Sequence, residues 1–398
     1  MAKLAAGAAY IVLLAGKTEL RGPSGISLPL AAIAVPALLA LLLGPIAAAL
    51  RRSPERRASS GPMLACAVLF AVLALSSLWS EAGEATWLQL MWIVLMLGVL
   101  CVVSAAAQLS PKVAVDTFML LSAVTGIIFA VGGLVLGGSG ARLAAFGGGP
   151  NVFARITGIG IIAAVFWMLR GKRGWPALLA FIPVMAVANI LSGSRGALIG
   201  TVCGLLVVCV AFSWRTWLKF GLCTVVASPI LFILYGQYGA NVEKVVALRI
   251  VKLTFEEGYT SGRDTLWEHA TSSMSENPVF GTGLGSFMTN NGFYTHNLFL
   301  QVGVDAGLLG LAVLTVALLV LVRGLWTKNT RSPVVLGPLA AGTTIFVASM
   351  VSGDHYDTRF FWAYLILACA AAGRIRSKTS GKAGACSSEP TEVPPHRI

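Results

Sequence analysis

The chain has 398 residues, of which 57% are hydrophobic and only 11% are charged. Polar surface this scarce cannot cover a soluble globule, so we expect a polytopic membrane protein. The formal net charge of +13 comes from short basic clusters between apolar runs. These clusters form no basic arm or continuous basic surface, which argues against nucleic acid as a partner.

Apolar stretches of membrane-spanning length recur along almost the whole chain. Only helices satisfy their own backbone hydrogen bonds at such lengths, so the predicted fold class is all-α, a polytopic transmembrane helical bundle. The first stretch lacks the cleavage pattern of a signal peptide and is taken as an uncleaved helix. At roughly 20 residues per span, the sequence predicts about twelve spans, at 4–18, 26–50, 62–79, 86–107, 113–137, 152–169, 174–191, 197–213, 218–236, 296–322, 333–352 and 358–373.

Basic clusters in the short connections predict the orientation, because Lys and Arg in such connections stay on the cytoplasmic side. In the twelve-span map the clusters fall on one side, whereas the connection 80–86 on the other side has no basic residue. Both termini are therefore expected in the cytoplasm. The clusters lie at 51–57, 170–174, 213–219, 323–331 and 373–378.

The map divides the chain into four segments. Residues 1–235 hold spans 1 to 9, 236–295 form a long outer loop, 296–376 hold spans 10 to 12, and 377–398 form a disordered cytoplasmic tail. Within the loop, residues 240–253 have helical periodicity and are expected to lie along the membrane surface.

Two further features of the loop are predicted from local motifs. Residues 261–277 are expected to form a short amphipathic helix, with Ser261 as N-cap and Asp264 three residues later. The sequence GTGLGSF at 281–287 follows no strand and lacks the lysine of a P-loop. We expect it to be a flexible turn that returns the chain to the membrane.

Cysteine and histidine positions indicate no cofactor. The seven cysteines form no CxxC pair, and no cluster of His and Cys has metal-ligand spacing. We therefore expect neither a disulfide framework nor a zinc site, and no metal or other cofactor.

Five arginines lie at or near the outer side, where the positive-inside rule disfavours them. Each could instead reach toward lipid head groups or pair with an acidic residue such as Asp354 or Asp357. The candidates for substrate contact are Arg142, Arg155, Arg195, Arg263 and Arg359.

Arg195 and Arg263 are the strongest of these candidates because each is predicted at the start of a helix. A guanidinium beside the free N–H groups of a helix start forms an anion site. Two such arginines suit a diphosphate, since each can bind phosphate oxygens bidentately. The alternative for Arg263 is an ion pair with Asp264 or Glu268.

His296 and Asn297 open the span predicted at 296–322. The positive end of that helix disfavours an imidazolium, so we expect a neutral ring that can take a proton from an alcohol. The alternative is an interfacial histidine bonded to Thr295 or to a backbone carbonyl. His355 lies on the same side and is a candidate for substrate contact. Gly303, Gly307 and Gly310 are expected to serve close helix packing.

Four motifs occur in order: SGSRGALIG from residue 192, SGRDTLWEHA from 261, NPVFGTGLGSF from 277 and HNLFLQVGVDAGLLGL from 296. With the twelve-span plan and the long outer loop, this set resembles the O-antigen ligase and polymerase superfamily of membrane glycosyltransferases. The resemblance is specific from about residue 190 to 311. It implies a GT-C-like, metal-independent enzyme in the bacterial inner membrane, with its active site facing the periplasm.

The resemblance also implies substrates and roles. The donor is a glycan on undecaprenyl diphosphate, and the acceptor is a sugar hydroxyl of lipid A core or of a growing polysaccharide, both presented among membrane lipids. Arg195 and Arg263 match the diphosphate-binding positions of the family, and His296 matches its essential histidine. The secondary substrate-binding candidates are Arg142, Arg155, Asn297, His355 and Arg359.

Two other functions remain open at this point. A Wzy-like exopolysaccharide polymerase would use the same donor and differ only in its acceptor. A membrane transporter belongs to another class, and it would place ionisable groups near the bilayer midplane, where this sequence has almost none.

Overall fold

A computed structural model describes residues 1–16, 19–21, 27–29, 61–136, 142–147, 149–171, 173–248, 251–252, 262–326 and 331–386. Most of this part of the chain is helical, which confirms the predicted helical fold, and it adds one short antiparallel pair of strands, β1 (Glu19–Arg21) and β2 (Ser27–Pro29). The helices are α1 (Ala2–Ala15), α2 (Gly61–Leu75), α3 (Glu84–Leu109), α4 (Pro111–Leu136), α5 (Gly149–Arg170), α6 (Trp175–Ala180), α7 (Ile182–Leu191), α8 (Arg195–Cys209), α9 (Trp214–Val245), α10 (Arg263–Glu276), α11 (Ser286–Asn291), α12 (Leu298–Leu325), α13 (Pro333–Ser349) and α14 (Arg359–Cys386), with 3₁₀ turns at Ser76–Trp79 and Tyr356–Thr358.

Five helices in the described ranges are long and apolar enough to cross a membrane, so the chain is a multi-pass membrane protein. They are α2 with its 3₁₀ extension, α3, α4, α5 and α12. A sixth span results if α9, which bends by 49°, is taken as one crossing. Four further apolar stretches, α1, α6 with α7, α8 and α13, are shorter than a regular span. The predicted count of twelve is thus not confirmed. The predicted span 26–50 lies outside the described residues except for 27–29, which form β2.

Several boundaries differ from the prediction. Helix α9 continues past residue 236, where the loop was expected to begin, and ends at Val245. Helix α10 begins at Arg263 with Gly262 as N-cap in the left-handed conformation (φ 72°). The predicted N-cap, Ser261, lies outside the described residues. The last helix extends to Cys386, into the segment predicted as a disordered tail, and residues 387–398 are not described.

Glycines allow the central helices to approach closely. A Cβ on Gly126 of α4 would lie 2.6 Å from the Cα of Gly160 on α5. A Cβ on Gly204 of α8 would lie 2.7 Å from the carbonyl oxygen of Ala340 on α13. Small residues at helix contacts are the usual device in membranes, where dispersion contacts rather than water exclusion hold helices together. Helix α8 is thereby fixed with its first residue, Arg195, beside the end of α13.

Helix α12 is broken at Gly307, whose φ of 62° and ψ of −156° are open only to glycine. In a regular helix the amide of Leu308 would bond to the carbonyl of Val304. Instead, Leu308 donates to Pro278 O at 2.8 Å, and Val304 O accepts from the amide of Thr282 at 2.7 Å. The loop 278–282 therefore supplies the partners that the break removes, as backbone at membrane depth requires.

The segment 281–287, predicted as a flexible turn, begins within this loop, and its first two residues are packed into the break. Gly281 has a φ of 70°, and a Cβ there would lie 2.7 Å from the amide nitrogen of Gly307. Gly303 serves close packing as predicted, because its missing side chain makes room for Met274 of α10. Gly307 has a different role from the one predicted, since it ends the first half of α12.

Replacing Gly281 with alanine should lower the stability of the protein more than the same change at Gly292. Both glycines have a left-handed φ, but a Cβ on Gly292 meets no atom within 4 Å. Both changes carry backbone strain of order 1–3 kcal/mol, and only Gly281→Ala adds overpacking of roughly 1–3 kcal/mol. The measurement is the thermal unfolding midpoint in detergent. Equal shifts in the two variants would show that the loop does not fill the break.

Candidate functional site

Three elements bring the main predicted residues to one place. Arg195 is the first residue of α8, Arg263 is the first residue of α10, and His296 lies two residues before α12. Partial burial lowers the pKa of Arg263, and the nearby cations of Arg195 and Arg155 lower it further. Guanidinium groups influence each other in this way only at short range, so the three arginines share one region.

His296 belongs to the same region. Burial lowers its pKa, and Arg263 and Arg155 lower it further, while Asp357 and Asp354 act in the opposite direction. The neutral imidazole therefore predominates at neutral pH. The predicted direction is correct, but the causes are burial and neighbouring cations, whereas the sequence argument relied on the helix end.

The backbone at His296 is unusual. Its φ of 58° is left-handed, a conformation that few residues other than glycine adopt. Its ring packs on the ring of Tyr294 with centroids 4.5 Å apart, and within the described ranges the buried Nδ1 has no hydrogen-bond partner. The segment is tied to α10, because the indole of Trp267 donates to Thr295 O at 2.9 Å. Arg263 and His296 are thus held on two elements that contact each other.

Asn297 caps helix α12. Its side-chain oxygen accepts from the amides of Phe299 at 2.9 Å and Leu300 at 3.2 Å, and its amide nitrogen donates to Met350 O at 3.0 Å. These bonds are those of an N-cap residue. Asn297, predicted as a substrate contact, thus has a structural role, because it fixes the chain immediately after His296.

Arg155 and Arg359 flank one buried carboxylate. The guanidinium of Arg155 lies 3.9 Å from Asp357 and that of Arg359 lies 3.7 Å from it, and all three side chains are nearly inaccessible to solvent. Arg155 also donates to the carbonyl of Ser352, and Arg359 donates to that of Leu13. Both arginines therefore pair with an acidic residue, which the sequence analysis gave as the alternative to substrate contact. Removing Asp357 would leave two buried guanidinium cations without their counter-charge, and this would strongly destabilise the fold.

Arg142 supports the turn before Arg195. It donates to Ser192 O at 2.8 Å and to Asn151 Oδ1 at 3.0 Å. The same Asn151 oxygen accepts from the hydroxyl of Ser194 at 3.0 Å, and its amide donates to Ser352 at 2.9 Å. The turn that carries Arg195 is thus joined to the region of Arg155 and Asp357.

His355 lies inside the protein. Its Nε2 is 2.7 Å from Asp305 Oδ2, and both side chains are buried, at 3% and 0% exposure. Sequence reasoning had placed His355 against substrate and had assigned nothing to Asp305. An acidic residue among glycines in an apolar run was the available sequence signal for a buried network.

No group of three or more His, Cys, Asp or Glu side chains in the described ranges could hold a metal ion. Among the described residues, the charged groups that act on His296 are Arg263, Arg155, Asp357 and Asp354. Such a region attracts an anion through fixed guanidinium groups and offers a neutral imidazole beside them.

Residues 178–315 match the family model described as O-antigen ligase, and a search of curated proteins found no match. The matched segment contains Arg195, Arg263 and His296, but it does not reach Arg155 or Asp357, which the fold adds to the same region. This match supports assignment of the segment 178–315 to the O-antigen ligase/Wzy-type family.

Proposed function

We propose that this protein is a membrane glycosyltransferase that transfers a glycan from undecaprenyl diphosphate to a sugar hydroxyl. The acceptor is lipid A core or a growing polysaccharide, and the reaction takes place at the periplasmic face of the inner membrane. One observation supports this function above all others. A largely neutral His296 lies among the cations of Arg263 and Arg155, and Arg263 in turn lies beside Arg195.

The mutual repulsion of these arginines favours an anionic ligand. Arg195 and Arg155 both disfavour the charged form of Arg263, and a nearby anion would favour it. A diphosphate between Arg195 and Arg263 would convert this repulsion into attraction. Guanidinium groups suit it because each presents two parallel N–H donors to phosphate oxygens.

The chemical step needs a base and a stabilised leaving group. Neutral His296 takes the proton of the acceptor hydroxyl as that oxygen forms a bond to the anomeric carbon of the donor sugar. The bond between the anomeric carbon and the diphosphate oxygen breaks, and its electron pair leaves with undecaprenyl diphosphate. Arg195 and Arg263 stabilise the developing charge. Attack opposite the leaving group inverts the anomeric configuration.

Glycan transfer by the purified protein tests the class of function. The donor probe is the undecaprenyl-diphosphate-linked glycan extracted from a strain that lacks this protein, and the acceptor is the glycolipid of the same strain. Transfer of the glycan to the acceptor supports the proposed enzyme. A transporter would produce no glycosidic product in detergent solution, and that result would overturn the proposal.

Replacing His296 with alanine should reduce transfer at least 100-fold, because general base catalysis contributes about 10²- to 10⁴-fold. The matched control is His269→Ala on α10, whose exposed ring contacts Asn291 at 2.9 Å. The control should retain its activity. The rate is measured per folded molecule, after size-exclusion chromatography. Full activity of the His296 variant would contradict its role as base.

Replacing Arg263 with glutamine should move the acid limb of the kcat profile to higher pH. Arg263 lowers the pKa of His296, so its removal raises that pKa. The base is active only when neutral, and more of it is therefore protonated at a given acidic pH. The profile is measured at saturating donor, with the exposed Arg173→Gln as control. An acid limb at an unchanged pH would show that Arg263 does not influence the pKa of His296.

A further inference from the structure

Asp305 holds together three parts of the protein at the break in α12. Its side chain is 0% exposed. One carboxylate oxygen accepts from the amide of Gly285 at 3.3 Å, and the other lies 3.0 Å from Gln301 Nε2 and 2.7 Å from His355 Nε2. The residue that precedes α11, the first half of α12 and the turn after α13 therefore meet at one buried carboxylate.

Gln301 carries this network to the base. Its Oε1 accepts from the backbone amide of Thr295 at 3.1 Å and lies 3.2 Å from the Thr295 hydroxyl. A backbone amide can only donate, so the oxygen of Gln301 must face Thr295 and its NH₂ group must face Asp305. Because the carboxylate of Asp305 accepts, the hydrogen bonds from Thr295 through Gln301 to Asp305 each have a defined donor and acceptor.

Thr295 precedes His296, and its hydroxyl is bonded to the backbone of Asn297, which follows His296. Its hydroxyl is 3.0 Å from Asn297 O and 3.4 Å from Asn297 N. These bonds link the peptide before His296 to the peptide after it. They hold a left-handed backbone that is strained for a residue other than glycine. The direction of the imidazole depends on this backbone.

We propose that Asp305, acting through Gln301 and Thr295, positions His296 for proton transfer. The inference rests on the proposed function of His296 as base and extends it to residues that act through it. Asp305 is a positioning residue, since its bonded neighbours are Gly285, Gln301 and His355. A base displaced by about 1 Å loses on the order of 100-fold in rate.

The same carboxylate connects the base to the buried ion pairs. His355, bonded to Asp305, precedes by two residues the aspartate that contacts Arg155 and Arg359. Asp357 favours the protonated form of His296, and Arg155 opposes it. The distance from the imidazole to both charges therefore depends on the anchor at Asp305.

Thr295→Val and Thr295→Ser test the proposal with little change in volume. Valine removes the hydroxyl and should lower kcat at least about 10-fold, with the donor KM changed less than about 2-fold. Serine keeps the hydroxyl and should restore most of the rate. The matched control is Thr343→Val on α13, whose hydroxyl bonds within its own helix to Leu339 O at 2.9 Å.

Asp305→Asn tests the deepest member, because the amide keeps one acceptor oxygen and sets its NH₂ group against a donor, either the Gly285 amide or the side chains of Gln301 and His355. It should lower kcat by about 10- to 100-fold with little change in donor KM. If the Asp305→Asn variant fails to fold, the comparison of Thr295→Val with Thr295→Ser still tests the proposal. The full-length protein, the extracted lipid-linked donor and the glycolipid acceptor are used throughout, and rates are given per folded molecule.

The outcomes separate this inference from the proposed function. If His296→Ala keeps full activity, the proposed function fails and the positioning role fails with it. If His296→Ala is inactive and Thr295→Val has the kcat of the unchanged protein, only the positioning role is overturned. Equal losses in Thr295→Val and Thr295→Ser would also overturn it, because they would make the hydroxyl irrelevant.

Discussion

The break in helix α12 at Gly307 is the constraint on which the site depends. A helix interrupted at membrane depth exposes backbone groups that lipid cannot satisfy. The loop 278–282 supplies the missing partners and is thereby drawn against α12. The amide of Gly285, just after this loop, donates to Asp305. The first half of α12 is therefore held in a fixed position relative to α11. A local defect in one helix thus organises the elements around it.

The electrostatics of the site follow from two kinds of arginine. Arg155 and Arg359 are buried on either side of Asp357 and form part of the fold. Arg195 and Arg263 begin helices and are only half-buried. The buried set provides a fixed positive background with an internal counter-charge. The half-buried set lies where an approaching ligand would replace water around it.

Sequence patterns predicted the positions of most helices because apolar runs of span length have few alternatives. They also indicated Arg195, Arg263 and His296 as candidate site residues, since each lies at a predicted helix start on one side of the span map. Local patterns could not show the break at Gly307, because a glycine in an apolar run equally suits close packing. They could not separate capping from substrate contact at Asn297, because one amide side chain performs both tasks.

The bond from Arg359 to the carbonyl of Leu13 joins the beginning of the chain to its last helix. Arg155, from the fifth helix, meets Asp357 just before that last helix begins. The family domain at 178–315 ends before these partners are made, so it contains the principal residues without their surroundings. Completion of the site therefore comes late in biosynthesis, when the C-terminal helix enters the membrane. Until then a growing chain carries Arg195, Arg263 and His296 without Asp357, the counter-charge of the two buried arginines.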